Sequence, residues 1–269
     1  MSSQIAKHRA AMPAGANKIL DERTIETDNR NLLGLLKKGI HVLDVGCGSG
    51  AITHDIATRI APQGLATGID ISEDLIAVAK KRYAAIKNIS FYTGDIYRYP
   101  STEKFDLITS ARVLQWLDHP KEALIRMKTL LKNGGRISIL DYNHEKIEWT
   151  PHIPESMHYF YSAFLQWRKD AGFDNAIADN LKQMFTETGM HHIVIEEQFE
   201  RTGKPDNNFS GKAGIWTTVA ETRGKQLVKD NYITELQRLN AIKDYSHWIS
   251  NDGKSMQMYL LSATGKNHD

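Results

Sequence analysis

The stretch "HVLDVGCGSGAITHDIA", residues 41–57, decides the fold. Val42, Leu43 and Val45 form a short apolar run of the kind a fully buried parallel strand carries. Three glycines follow, spaced Gly46-x-Gly48-x-Gly50, and then Ile52, Ile56 and Ile60 recur every four residues. That spacing places the isoleucines on one face of a helix. The segment is therefore strand, glycine turn, helix. Such a turn lets backbone approach a ligand closely, because glycine has no Cβ and reaches positive φ without strain.

The same alternation continues outward. "GLATGIDI" reads as a second strand, and Ser72 as the N-cap of the next helix. Glu73 and Asp74 in its first turn suit the helix dipole, and Leu75, Val78 and Ala79 form its apolar stripe. "ISFYTGDI" and "FDLITSA" predict strands three and four. Pro120, at a favoured first helical position, opens a helix over 120–131 that buries Leu124, Met127 and Leu131. "NGG" (133–135) ends that helix, and "RISILDY" is strand five. Five strand-helix steps in about a hundred residues predict a doubly wound α/β sheet. Residues 154–190 and 212–250 read as helical, the latter by the period of Leu227, Ile233, Leu236 and Leu239. "HIVIEEQFER" and "SMQMYLLSATG" predict two final strands, paired antiparallel at a sheet edge because no full crossover separates them. The expected organisation is one domain over 1–269. Within it, 1–38 is an N-terminal helical lid, 39–142 a ligand-binding core, 143–190 a helical substrate insertion, and 191–269 the last two strands with a further helical insertion.

Composition narrows the function. With 269 residues, 41% hydrophobic and 25% charged, the chain can bury a sizeable core. The 34 basic and 32 acidic residues nearly cancel, which disfavours nucleic acid or an anionic membrane as partner. The single cysteine excludes an internal disulfide and suits a reducing, cytoplasmic compartment. The N-terminal residues lack the apolar core of a signal peptide, and no apolar run approaches the roughly 20 residues of a membrane span.

Two ligands compete for the glycine loop. A dinucleotide fingerprint requires G-x-G-x-x-G and a helix N-terminus aimed at a pyrophosphate. Here the third fingerprint position is Ala51, and Asp44 precedes the loop by two residues. A carboxylate there repels a pyrophosphate and attracts a cation. S-adenosylmethionine (SAM) carries two cationic groups, a sulfonium and an ammonium. Asp70 closes the second strand, where a carboxylate can accept both ribose hydroxyls of either ligand. A tight turn alone accounts for Gly48 and Gly50, but explains neither Asp44 nor Asp70. Downstream, Asp95 ends the third strand within reach of an adenine amino group, with Ile96 over the ring. "SARVLQWLDHP" then supplies an apolar wall after strand four.

Together these motifs make residues 41–141 resemble a class I SAM-dependent methyltransferase. "VLDVGCGSG", "GIDIS", "GDI", "FDLITSARVLQWLDHP" and "LLKNGGRISILDY" match its successive motifs. The block is similar to the small-molecule branch of ubiquinone/menaquinone-biosynthesis and trans-aconitate methyltransferases, which share a Gln-Trp pair like Gln115-Trp116. The resemblance implies a Rossmann-like doubly wound seven-stranded sheet, with an antiparallel strand at one edge and helical insertions forming a lid. It implies SAM as cofactor and S-adenosylhomocysteine as product. Asp44, Gly46, Cys47 and Gly48 would line the methionine part and Asp70 the ribose. Ile71, Asp95 and Ile96 would hold adenine, and the backbone of Ala111 the amino group. Ala111 stands where relatives often have Asn, so only a backbone contact survives there. Cys47 reads as a small filler, since no paired base marks it as a nucleophile.

The methyl acceptor is less legible. An in-line displacement needs positioning and water exclusion more than a base. No Asn/Asp-Pro-Pro-Tyr follows strand four and no Pro-Cys pair exists, which disfavours nucleic-acid methylation; the acceptor is expected to be a small, partly apolar metabolite. "DYNHE" (141–145) is too thin for a metal, and no metal is expected. It supplies His144 as a candidate base and Tyr142 to orient the acceptor; the bland alternative is an exposed loop residue with no catalytic part. Tyr161, Phe164 and Trp167, on adjoining faces of an aromatic helix, are candidate acceptor-pocket residues, with core packing as the alternative. Lys18 or Arg23 is placed to meet the SAM carboxylate. The competing functional classes are a SAM-binding module without catalysis and, less favoured, an NAD-dependent oxidoreductase. Nothing in the chain marks an oligomer interface.

Overall fold

The computed structural model describes residues 4–11, 21, 23–100, 102–204, 206 and 208–268. Two short helices, α1 (Gln4–Ala10) and α2 (Ile25–Asp28), precede an alternating block. That block runs β1 (His41–Val45), α3 (Ala51–Ile60), β2 (Leu65–Asp70), α4 (Glu73–Arg82), β3 (Ile89–Thr93), β4 (Phe105–Ala111), α5 (Pro120–Thr129) and β5 (Leu131–Thr150). Then come α6 (Glu155–Lys169), α7 (Ile177–Glu187), β6 (His191–Glu197) and β7 (Glu200–Gly203). The last elements are α8 (Phe209–Ala213), α9 (Ile215–Lys229), α10 (Glu235–Ser250) and β8 (Ser255–Lys266).

One sheet has the order β3-β2-β1-β4-β5-β8-β6, with β7 also on β8. The pairs from β3 through β5 are parallel, and β8 is antiparallel to β5, β6 and β7. The doubly wound sheet with an antiparallel edge is as expected. The expected sixth strand is broken: β6 and β7 pair with successive halves of β8, with Gln198 donating its N–H to Leu260 O between them. Strand order reverses between β1 and β4, so their carboxyl ends diverge into a crevice. Ser110 Oγ donates to Val45 O (2.9 Å) across that switch point and pins its floor.

Local signals explain most boundaries. Ser72 Oγ accepts from Leu75 N at 3.3 Å, and Pro120 is the first residue of α5. In α3, Ile56 and Ile60 are buried beneath the sheet. Three details differ from the sequence reading. In α4 the buried stripe is Leu75, Ile76 and Ala79, while Val78 is 41% exposed, because the short amphipathic helix turns its face by one residue. In α10, Leu236 and Leu239 face outward, and Ala241, Tyr245 and Trp248 are buried instead. The strand expected to end at Tyr142 runs on to Thr150, because the twelve-residue β8 offers it a partner over its whole length. The polar run that hid this continuation is a bulge, where pairing with β8 shifts between Asn143 and Glu148.

Two large apolar cores result. One lies under β1, β4 and β5 with α5 and α7, and holds Leu43, Ile108, Met127 and Phe185. The other joins α6, α9 and α10 to the far halves of β5 and β8, around Phe160, Trp167, Trp216 and Trp248. The cavity described next opens where the carboxyl ends of β1 to β4 meet α1.

A candidate cofactor and acceptor cavity

Gly46, immediately after β1, takes φ +75°, and a Cβ there would stand 2.2 Å from Val113 Cγ2. Gly50 takes φ +86° at the start of α3, and its Cβ would meet the Phe91 ring at 2.6 Å. The loop is thus glycine for two reasons: its handedness, and the close approach of two neighbouring walls. Folded this way, it floors a cavity of about 560 Å³, within the range of small-molecule sites. Asp44, Gly46, Cys47, Gly48, Asp70, Ile71, Asp95, Ile96 and Ala111 all line it. The structure therefore gathers in one place the glycine-loop residues, the strand-end acids and their apolar neighbours that the sequence singled out for the cofactor.

The acids differ in how they are held. Asp44, 5% exposed, accepts a hydrogen bond from Thr53 Oγ1 on Oδ2 at 2.6 Å. Its Oδ1 has no bond among the described residues. Burial pushes its carboxyl up to about 6; the Thr53 bond offsets part of this and repulsion from Asp70 adds to it. Asp70 accepts one backbone N–H on each oxygen, from Ser72 (2.9 Å) and Gly48 (2.9 Å), which fixes its plane toward the cavity. Asp95 caps the turn at Ile96–Arg98 by accepting from Tyr97 N at 3.0 Å on Oδ1. Burial pushes the Cys47 thiol far up and Asp44 and Asp70 add to it, so Cys47 stays a neutral filler. Two unsatisfied features fit SAM: a buried carboxylate with a free oxygen asks for a cation, and the glycine cradle leaves room beside it.

The acceptor side departs from the sequence reading. His144 is neither in a loop nor exposed. It is buried in the β5 bulge, its N–H donating to Asn175 O (2.8 Å) and its Nε2 lying 2.6 Å from Gln115 Oε1. Burial and the nearby Arg168 hold its pKa well below 6.5, and it does not line the cavity. Tyr142 does not line it either; its hydroxyl accepts from Arg112 Nε (3.0 Å) and donates to Glu200 Oε2 (3.2 Å). Tyr161, Phe164 and Trp167 are buried in the second core, where Tyr161 and Phe164 meet Trp216 edge-on and Trp167 stacks on Phe164, and none reaches the cavity wall. These side chains are taken up by packing, because α9 and α10 lie against α6 and His144 of the β5 bulge meets Phe164 and Tyr161.

The wall on that side is made instead by Arg23, Arg112, Val113, Trp116, Leu117, Arg223 and the α1 residues Ala6, Lys7 and Ala10. Arg112 takes φ +61°, a strained conformation for a residue that carries a Cβ. It is clamped by Tyr142, Asn29 Oδ1 (3.3 Å), Asp28 O (2.8 Å) and an ion pair with Glu200. Arg23 lines the cavity as expected, while Lys18 lies outside the described residues. Burial and repulsion from Arg112 lower the Arg23 pKa. Arg112 stood in plain view as the residue after strand four. Arg223 had no signal, since it sits mid-helix far from any motif.

Comparisons with known proteins agree with this geometry. Residues 36–193, more than half of the chain, match a family model described as a methyltransferase domain. Demethylmenaquinone methyltransferase of Staphylococcus aureus is 28% identical over 178 residues, covering 60% of this chain and 71% of that enzyme. Among solved structures, phosphoethanolamine N-methyltransferase 2 of Haemonchus contortus aligns with a TM-score of 0.57 at 17% identity. That alignment covers 96% of this chain but 54% of the Haemonchus enzyme, so the chain spans about half its length. A SAM-dependent methyltransferase from Aquifex aeolicus aligns with a TM-score of 0.54 at 16% identity, over 95% of this chain and 99% of its own. Among the described residues no helix is long and apolar enough to cross a membrane. The chain belongs to the methyltransferase-domain family, and it is a SAM-dependent methyltransferase of class I fold.

Proposed function

We propose that this enzyme methylates a small-molecule acceptor that enters between α1 and the Trp116 wall and meets the cofactor over the Asp44 end of the cavity. The observation that carries the reading is the buried carboxylate of Asp44, with one unbonded oxygen at the floor of a cavity of about 560 Å³. Bound there, SAM supplies an electrophilic methyl group on a cationic sulfur. The chain's residues do the rest. Asp44, Gly46, Cys47 and Gly48 form the cradle for the amino-acid portion, with the Ala111 backbone accepting from the ammonium group. Asp70, already oriented by two backbone N–H groups, has lone pairs left for the ribose hydroxyls. Ile71 and Ile96 cover the adenine faces, and Asp95 Oδ2 accepts from its amino group. Arg23, lining the cavity without a hydrogen bond among the described residues, takes the cofactor's carboxylate.

No base is assigned. Positioning and exclusion of water provide the acceleration, and α1 closes the cavity with Ala6, Lys7, Ala10 and Ala11. Arg9 holds α1 down through an ion pair with Asp230 (3.5 Å) and contacts over the Trp167 and Tyr232 rings (4.9 and 5.2 Å). In this reading the ends of β1 to β3 with Arg23 serve the cofactor, while α1, the Trp116 wall and Arg223 of α9 serve the acceptor; a cytoplasmic setting belongs to the same reading. Calorimetry with SAM, S-adenosylhomocysteine and NAD tests it. SAM and its product are expected to bind at micromolar concentrations and NAD not to bind. Tight NAD binding without SAM binding would overturn it.

A further inference from the structure

The cavity wall carries opposite charge on its two sides. Asp44, Asp70, Asp74 and Asp95 come from the β1, β2 and β3 side; Lys7, Arg23, Arg112 and Arg223 come from α1, the approach to α2, the end of β4 and α9. Arg112 is balanced by Glu200, and the proposed function uses Arg23 for the cofactor's one carboxylate. Arg223 is left over. It is nine-tenths buried, and no carboxylate lies within 4 Å of it among the described residues. Among the described residues its hydrogen bonds run from Nη1 to the Arg9 and Ala11 carbonyls (2.7 and 3.3 Å). Its guanidinium lies 4.0 Å from the Trp116 ring centre, and that of the fully buried Arg168 lies 4.3 Å from the same centre. Arg168 repels Arg223, and burial with that repulsion pulls the Arg223 pKa down to about 9. Arg168 has Asp141 and Asp174 nearby, but Arg223 has no such partner among the described residues, and a buried cation without a counter-ion is costly unless a ligand supplies one.

We infer that the methyl acceptor is an anion, with a carboxylate or phosphate group seated against Arg223 and Lys7 and an apolar or planar body along Trp116. This inference rests on the cofactor reading above, which places the cationic sulfur in the same cavity. An anionic acceptor is drawn both by that charge and by Arg223. In a water-poor cavity such attraction is far stronger than in solvent. A guanidinium also presents a fork of donors that fits either oxyanion.

The test uses the full chain saturated with S-adenosylhomocysteine and calorimetric titration of benzoate, phenyl phosphate and inorganic phosphate against benzamide and benzylamine. At least one anion is expected to bind, and the neutral and cationic probes to bind at least tenfold more weakly. Benzoate against phenyl phosphate tells carboxylate from phosphate. Arg223→Gln is expected to weaken the anion by roughly ten- to a hundredfold, the loss of a charge-assisted contact, while the S-adenosylhomocysteine Kd changes less than twofold. Arg223→Lys should recover part of the loss. If Arg223 serves only to hold α1, the substitution will weaken benzoate and benzamide alike, and the inference is overturned. Equal binding of charged and neutral probes by the wild type, or no anion binding, overturns it too. Failure of S-adenosylhomocysteine to bind the wild type would break the cofactor reading first and this inference with it.

Discussion

The acids of the cavity and its cations are put in place in different ways. Asp44, Asp70 and Asp95 stand at the ends of β1 and β2 and just beyond β3, three adjacent parallel strands, and Asp74 opens the helix after the second. Each is within a few residues of a turn that fixes it. Lys7, Arg23, Arg112 and Arg223 come from four segments spread over more than two hundred residues, and converge only because α1, β4 and α9 pack together. One side is a local motif repeated along a sheet; the other is an assembled surface. In the proposed function the first side holds the cofactor common to the family, and the second is where an individual acceptor is chosen.

The strongest way to break this contrast is at Asp44. Asp44→Asn keeps an acceptor for Thr53 and removes the charge. SAM affinity is expected to fall at least a hundredfold, the usual scale for losing one partner of a buried charge pair. Free of ligand, the same variant should be more stable than wild type. The carboxyl of Asp44 lies near 6 in the fold against 3.8 outside it. Its ionised form therefore opposes folding above pH 6, by about 3 kcal/mol at neutral pH. Urea melts should show that difference largest above pH 6 and gone below pH 4. A variant less stable than wild type at pH 8 would show that the Asp44 charge is compensated.

Gly46→Ala comes next. Its Cβ would meet Val113 and the backbone would be held at φ +75°, a combined cost of about 2 to 4 kcal/mol. Adding Val113→Ala should recover the part due to the clash. Equal stability of the single and double variants would show that the φ strain alone matters.

The pH dependence of binding gives a smaller effect with a clear sign. In the proposed site ionised Asp44 meets the cationic cofactor, so the SAM Kd should be flat above pH 7 and rise towards tenfold per unit below 6. In Asp44→Asn the profile should be flat.

His144→Gln is expected to do least. The ring is buried outside the cavity and stays neutral, so SAM affinity should hold within twofold, and stability should fall by about 1 kcal/mol through the altered bond to Gln115. A loss of turnover with folding and SAM binding intact would return His144 to the reaction.

Asp44, Asp70, Asp95 and the glycines were legible because a βα turn is a local object: strand period, glycine spacing and the acid's place in the strand need no distant neighbour. The aromatic face of α6 was legible as a face, but not as core or pocket. Phe164 and Trp167 look the same in either role, and only the arrival of Trp216 from α9 makes them core. His144 misled because a polar pentapeptide after a strand reads as a loop. A bulge inside a long strand has the same composition, and only the partner strand, more than a hundred residues later, shows which it is.

The sequence by itself determined the doubly wound sheet, the cofactor and the acids and glycines that line the cavity, since these follow from short-range periodicity and backbone chemistry. The tertiary structure alone decided which cations line the cavity and that Arg168 and Arg223 both lie against Trp116. It also decided that His144 is buried. These depend on burial and charge proximity between segments far apart in the chain, which no local pattern encodes.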